Sequence, residues 1–114
     1  MSSLAERKCE ACHGGTPKLN HDQITELQKQ LDDWLVADGE KKLQKSVKTK
    51  DFKQALEKAN VIGGIAESEG HHPDLLVRWG ELRIEIWTHA IDGLSEADFI
   101  LAAKIDRALG AEGR

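Results

Sequence analysis

Two features of membrane and exported proteins are absent from this sequence. No apolar run approaches the ~20 residues that a membrane-spanning helix needs. The segment from Met1 to Glu10 has no apolar stretch and no signal-peptide pattern. These absences predict a protein without a membrane partner, and they make the cytoplasm its expected location. A chain of 114 residues is long enough for one domain whose hydrophobic core is stable without disulfide bonds.

The sequence also lacks an excess of positive charge. Its net charge of −4 argues against direct nucleic-acid binding, because displacing counterions from phosphates requires a basic surface. The local exception is a run of six lysines, namely Lys41, Lys42, Lys45, Lys48, Lys50 and Lys53. We interpret this run as a solvated strand edge and helix start. The alternative is a surface that docks an anion or a protein partner.

Cysteine is scarce, and both cysteines lie within the first 18 residues. Cys9, Cys12 and His13 match the short pattern for c-type haem attachment, but the missing export signal argues against haem. A zinc knuckle would need a fourth ligand, for which His21 is the nearest candidate. We therefore predict that residues 1–18 form an N-terminal arm with reduced cysteines, mobile or docked on the surface, and that residues 19–114 form the folded domain.

Hydrophobic periodicity predicts seven elements in that domain. The first helix begins at Asn20 and ends near Asp32-Asp33, the second runs from about Lys50 to Gly70, and the third begins at Ser95. Four segments have strand character: Trp34–Ala37, Leu43–Lys48, Leu75–Trp79 and Leu82–His89. The turn signals Asp38-Gly39 and Gly80-Glu81 join these strands into two hairpins. The predicted fold class is α+β, with the order α-β-β-α-β-β-α and one four-stranded antiparallel sheet covered by helices on one face.

The second helix has an apolar stripe that predicts which side it buries. The members of this stripe recur at helical spacing, and they are Phe52, Leu56, Ala59, Ile62 and Ala66. We expect them to pack against the sheet.

Most of the chemically useful side chains fall between Glu67 and Asp98. The stretch contains the adjacent His71 and His72, and His89 further along. Imidazole has an unperturbed pKa of roughly 6.5, so it exchanges protons near neutral pH. If the second helix reaches His71, then Glu67 lies one turn before it and can accept a hydrogen bond from its ring. His89 can join this pair only through the tertiary fold.

Each of these residues also has a structural explanation. His71 can complement the dipole at a helix C-terminus, and Asp98 can cap the last helix in a capping box that begins at Ser95. Trp79 and Trp87 are typical of a core or an interface. No metal site is predicted at the histidines, because the HExxH spacing is absent and no cysteine is near them in sequence.

The order of these residues resembles a family signature. Glu67-xxx-His71-His72-Pro73, followed at matching spacings by Trp79, His89 and Asp98, resembles the signature of the pterin-4a-carbinolamine dehydratases. The likeness covers nearly the full chain, since further similar features are Trp34, Asp51-Phe52, Gly93-Leu94-Ser95 and the N-terminal Cys9-xx-Cys12 with Gly14-Gly15. Ser95 stands where threonine is common in the family, and both residues cap helices.

The resemblance implies a fold and a reaction. The fold is a four-stranded antiparallel sheet with three helices on one side. The reaction is dehydration of 4a-hydroxytetrahydropterin to quinonoid dihydropterin without a metal or an organic cofactor, which recycles the pterin of aromatic amino-acid hydroxylases. Members assemble, so a homodimer or homotetramer is expected. The alternative function is that of an interaction protein with a regulatory protein partner, because relatives on this fold serve as dimerisation cofactors of transcription regulators or as assembly chaperones.

The resemblance also implies catalytic roles. Loss of hydroxide from C4a needs an acid that protonates the leaving oxygen and a base that accepts a proton from a ring nitrogen. His71 and His89 are expected to form this acid–base pair, with the division of roles open. His72 is expected to belong to the catalytic residues as the one that binds and orients the pterin. Glu67 is expected to orient or tune His71.

Two further signature residues are expected to help bind the substrate. Asp98 is expected to position His89 or the pocket rim in addition to its capping role. Trp79 is expected to contact the pterin, since an aromatic ring can stack beside a flat heterocycle.

Overall fold

The computed structural model describes residues 4–8 and 16–111 and confirms the predicted element order. The helices are α1 (His21–Gln28), α2 (Phe52–Glu69) and α3 (Glu96–Ala111), and the strands are β1 (Leu35–Ala37), β2 (Lys42–Lys48), β3 (Asp74–Arg78) and β4 (Glu81–Ile86). Two 3₁₀ turns span Leu4–Glu6 and His89–Ile91. Cys9, Cys12 and His13 lie outside the described residues, so the interpretations of that segment stay predictions.

The start of α1 agrees with the prediction, but its end does not. The Asn20 side chain accepts a hydrogen bond from the Gln23 amide, and the Gln23 side chain accepts one from the Asn20 amide, which completes the expected capping box. The helix ends at Gln28, before the expected Asp32-Asp33. Two tertiary hydrogen bonds hold the chain that follows in another path: the Gln28 side chain donates to the Trp34 carbonyl, and the Asp32 amide donates to Asp106.

Helix α2 is bounded by a polar cap and a left-handed residue. Asp51 accepts a hydrogen bond from the Gln54 amide at 2.8 Å, which fixes the first turn. Gly70 follows the last helical residue with φ of 67°, a conformation that glycine adopts without steric cost. The chain therefore turns away from the helix axis immediately before His71.

One antiparallel sheet contains all four strands in the order β1-β2-β4-β3. Strand β4 pairs with both neighbours, so that Ile86 lies opposite Leu43 of β2 and Glu85 lies opposite Asp74 of β3. Because β3 and β4 are antiparallel, the start of β3 lies beside the end of β4. The register thus brings the chain before Asp74 and the chain after Ile86 to the same end of the sheet.

Alternate residues of β4 point into the hydrophobic core. Leu82, Ile84 and Ile86 are fully buried, and they belong to one apolar cluster with residues of all three helices. Since the three helices meet the same cluster, they cover one face of the sheet, as predicted. Full burial of each large apolar side chain contributes about 1.5–3 kcal/mol to stability. None of the helices in residues 4–8 and 16–111 is long and apolar enough to cross a bilayer.

Helix α2 buries a different stripe from the predicted one. Ala59, Ile62 and Ala66 are buried as expected, but Phe52 and Leu56 are 48% and 44% exposed. Ala55 takes their place in the core. The helix therefore packs through a face made mostly of alanine, with Ile62 as its large buried side chain, while Phe52 and Leu56 remain exposed.

Asp106 of α3 accepts three hydrogen bonds, two from the segment before β1 and one from β2. It accepts from the Asp32 amide at 2.9 Å, from Trp34 Nε1 at 2.8 Å and from Lys45 Nζ at 2.8 Å. The side chains of Lys45 and Asp106 are mostly shielded from solvent, at 11% and 13% exposed. The prediction that Lys45 lies on a solvated strand edge is therefore wrong, because Asp106 draws its ammonium group inward.

We expect Asp106→Ala to lower the free energy of unfolding by about 2–4 kcal/mol, because it removes the carboxylate partner of a shielded ammonium group, which keeps only the Asp32 carbonyl, and the acceptor of an indole N–H. Urea denaturation of the variant and the parent protein measures this difference. The matched control is Glu57→Ala, which removes an exposed carboxylate and should change stability by less than about 0.5 kcal/mol. Equal losses in the two variants would contradict the role given to Asp106.

Candidate active site

His71 occupies a buried position directly after the glycine that ends α2. Its Nε2 lies 2.6 Å from Oδ1 of Asp98, and the two side chains are 9% and 0% exposed. An ionised carboxylate can only accept hydrogen bonds, so Nε2 of His71 must carry the hydrogen. In the neutral ring Nδ1 is then the nitrogen with the lone pair. The contact fixes both the tautomer and the direction of the imidazole.

Asp98, in the first turn of α3, is held by three donors. Besides His71, the Thr88 hydroxyl donates to Oδ2 at 2.7 Å and the Ser95 amide donates to Oδ2 at 2.8 Å. Thr88 gives its only hydroxyl hydrogen to Asp98, so Ser95 Oγ must donate in the 2.8 Å contact between the two hydroxyls. Throughout the part of the chain that the structure describes, no buried side-chain nitrogen or oxygen lacks a hydrogen-bond partner. The four residues form a closed polar network inside the core.

The expected pairing of Glu67 with His71 is wrong, whereas the expectation that Asp98 positions His89 or the pocket rim stays a prediction. Asp98 contacts His71 and not His89, and Glu67 contacts His72 and not His71, with 2.6 Å between Glu67 Oε2 and His72 Nε2. The cause is the left-handed Gly70, which takes His71 off the helical face that carries Glu67. The Glu67–His72 pair is exposed, so it orients the ring without adding much stability.

His89 begins a 3₁₀ turn and is not the last residue of β4, because the strand ends at Ile86. The Thr88 amide donates to the Gly93 carbonyl at 2.8 Å and closes the loop that contains His89. Thr88 is also a member of the Asp98 network, so one carboxylate holds the His71 ring and the residue before His89. The exposed His89 ring stacks on Trp87, with 4.2 Å between ring centroids and 16° between ring planes.

Trp79 lies at the far end of β3 from the histidines. It follows the last residue of the strand and is 73% exposed, whereas His72 precedes the first. A strand of this length spans about 17 Å at ~3.3 Å per residue. Within one chain Trp79 is therefore separated from these histidines by the length of β3, and its expected contact with a pterin stays a prediction.

Thr88, Ser95 and Trp87 belong to the site but were not predicted as site residues. The signal for Thr88 is that the inward alternation of β4 continues past the strand end, which makes residue 88 a buried polar residue. The signal for Trp87 is its position two residues before His89, on the same side of the extended chain. The pattern at Ser95 predicts only a helix cap, although its hydroxyl also donates a hydrogen bond to Thr88.

The site combines one fixed imidazole with two exposed ones at the same end of the sheet. His71 is shielded and held by a carboxylate, whereas His72 and His89 face solvent. Such an arrangement can move protons to and from a ligand that binds at the sheet end. Among residues 4–8 and 16–111, no group of three or more His, Cys, Asp or Glu side chains is arranged to hold a metal ion.

Comparisons with known proteins agree on one family. Residues 17–108 match the family model described as Pterin 4 alpha carbinolamine dehydratase. The chain is 50% identical over 108 residues to a protein of Alkaliphilus metalliredigens, covering 94% of this chain and 96% of that protein. It is 45% identical over 107 residues to a protein of Rubrobacter xylanophilus, covering 94% of this chain and 99% of that protein. Both relatives are provisionally named pterin-4-alpha-carbinolamine dehydratase.

One solved structure supports the same comparison. The crystal structure of a transcriptional coactivator/pterin dehydratase from Brucella melitensis has a TM-score of 0.74 and 27% sequence identity to this chain. The match covers 80% of this chain and 97% of the other. The fold is therefore shared over nearly the whole of that protein.

We expect NMR of ¹⁵N-labelled protein above the titration range of histidine to show His71 as the Nε2–H tautomer. The reason is that Asp98 can only accept from this nitrogen. Asp98→Asn is the matched comparison, because it keeps the side-chain shape while removing the charge that selects the tautomer. A dominant Nδ1–H form of His71 in the unchanged protein would contradict the geometry.

Proposed function

The chain belongs to the pterin 4 alpha carbinolamine dehydratase family, and we propose that it dehydrates 4a-hydroxytetrahydropterin to quinonoid dihydropterin by histidine acid–base catalysis. The observation that carries this proposal is the buried His71–Asp98 hydrogen bond at the sheet end where His72 and His89 are also found. The reaction would recycle the pterin cofactor of aromatic amino-acid hydroxylases.

The reaction breaks one C–O bond and moves two protons. The hydroxyl on C4a leaves as water after it receives a proton, and a ring nitrogen loses a proton as the new double bond forms. The overall proton count does not change, so the protein must supply a proton at one place and accept one at another. Two imidazoles suit this exchange, because each ring can both donate and accept a proton, and each positioned transfer is worth ~10²–10⁴-fold in rate.

The surroundings of the two rings favour His71 as the base and His89 as the acid. A base becomes positively charged when it accepts a proton, and Asp98 lies 2.6 Å from His71, where it stabilises that charge. His89 has an exposed ring at the loop after β4, where it exchanges protons with solvent between turnovers. Asp98 acts through His71 and is a positioning residue in this scheme.

His72 and Glu67 suit substrate binding better than proton transfer. His72 is exposed and tied to Glu67 at 2.6 Å, so its ring is oriented but not enclosed. An oriented ring at the rim can place a flat heterocycle by stacking or hydrogen bonding. This assignment replaces the expectation that Glu67 acts on His71.

A first test is turnover of 4a-hydroxytetrahydropterin, followed by absorbance against the uncatalysed reaction. We expect His71→Ala and His89→Ala each to lower kcat by about 10²–10⁴-fold, since each removes one proton transfer. The matched control is His21→Ala, which removes an exposed histidine that pairs with Glu40 on the β1–β2 turn. An unchanged rate in the His71→Ala/His89→Ala double variant would contradict the assignment, and no acceleration by the parent protein would contradict the function.

A second test separates binding from chemistry. We expect His72→Ala and Glu67→Gln to raise KM with kcat within about threefold of the parent value, because they disturb an orienting contact and not the proton path. Steady-state kinetics over a range of pterin concentrations measure both constants. A fall in kcat at unchanged KM would instead place His72 in the chemical step.

A second candidate function is that of an interaction protein, alone or together with catalysis. The solved relative from Brucella melitensis is described as a coactivator as well as a dehydratase. In this chain Phe52 and Leu56 form an exposed apolar surface on α2 that could bind a second copy or a regulatory protein. The double histidine variant separates the two functions, because it removes catalysis and leaves this surface unchanged.

A further inference from the structure

The indole of Trp87 contacts two charged or titratable groups at the end of β4. The His89 ring is stacked on it at 4.2 Å, and Nζ of Lys42 lies 4.4 Å from the ring centroid. The register explains the second contact, because Leu43 lies opposite Ile86 and the residues next to them, Lys42 and Trp87, are therefore neighbours across the two strands. Trp87 also packs against the edge of the hydrophobic core.

Lys42 is itself held in place by acidic groups. Its Nζ lies 3.3 Å from Asp38 and 3.6 Å from Glu85. The hydrogen bond to Asp38 and the nearby Glu85 carboxylate raise the pKa of Lys42 above its usual value. The ammonium group therefore stays charged near neutral pH, and a charged group over an indole ring is attracted to its face.

The loop that carries His89 is fixed at its backbone. Lys41 Nζ contacts Asp92 at 2.9 Å, and the Thr88–Gly93 hydrogen bond closes the loop. The imidazole itself is exposed, and an exposed side chain samples several rotamers unless a contact selects one. In the structure, the stacked indole of Trp87 is the contact that sets the plane of the ring.

We propose that Trp87 is a positioning residue for His89, holding the imidazole in its reactive orientation by stacking while Lys42 steadies the indole from β2. The inference rests on the proposed dehydratase function, in which His89 transfers a proton. A neutral imidazole stacks on an indole, and a protonated one is attracted to the same face as a cation. The contact therefore serves both protonation states that His89 passes through in one turnover.

The stack predicts a separation between the effects on kcat and on KM. A ring that has lost its orientation reaches the leaving oxygen less often, while the pterin still binds through the remaining residues. We expect Trp87→Leu to lower kcat by about 10–100-fold with KM within about threefold. Trp87→Phe keeps an aromatic face and should recover most of the lost rate.

The experiment combines these kinetics with NMR of the His89 ring protons, assigned with His89→Gln. A stacked indole shifts these protons upfield, so the shift should be present in the parent protein and in Trp87→Phe and absent in Trp87→Leu. Lys42→Met, on β2, is a second test variant, and it should reduce both the upfield shift and kcat. Its matched control is Lys48→Met, which replaces an exposed lysine of the same strand and should leave both unchanged.

The possible outcomes distinguish the positioning role of Trp87 from the proposed dehydratase function. Absence of the upfield shift in the parent protein overturns the positioning role, and so does a Trp87→Leu or Lys42→Met variant that loses the shift but keeps kcat. Absence of turnover by the parent protein overturns the proposed function instead. Loss of the shift and of kcat together in Trp87→Leu, with recovery in Trp87→Phe, supports the inference.

Discussion

The hydrogen bond between His71 and Asp98 is the interaction on which the site depends. A carboxylate with no exposed surface is costly to bury unless its oxygens are satisfied. Here three donors satisfy it, and they come from the end of α2, the end of β4 and the start of α3. The contact thus stabilises the fold and orients the His71 ring at the same time. The hydrogen bonds that stabilise the buried carboxylate also fix the histidine.

The site has an inner part that positions the His71 ring and an outer part whose rings can exchange protons with solvent. The inner part is the Asp98 network, which is buried and fully hydrogen-bonded. The outer part consists of His72 with Glu67 and His89 with Trp87, two pairs in which a partner orients an exposed ring. A reaction that moves two protons on a bound heterocycle benefits from both, since one ring needs a fixed charge partner and the other needs access to water.

The sequence was sufficient for the elements and the caps but not for the pairing of the site residues. The element order, the alternation of β4, the Asn20 capping box and the two hairpins follow from local patterns, and the structure confirms them. The side that α2 buries depends on its tertiary packing, and there the local pattern is wrong for Phe52 and Leu56. The partners of Glu67 and Asp98 depend on the path of the chain at Gly70, where one left-handed residue redirects His71. The prediction for Lys45 is wrong for a similar reason, since its acceptor Asp106 is distant in sequence and only the tertiary fold brings them together.

The proposed mechanism requires His71 and His89 to act on the same pterin. A crystal structure of the protein with a stable dihydropterin bound would test it most directly. We expect the pterin at the end of the sheet, with the His71 and His89 rings within hydrogen-bond reach of opposite sides of the C4a region and the Asp98 contact intact. A pterin bound away from this end, or one that only a single histidine of the assembled protein can reach, would contradict it.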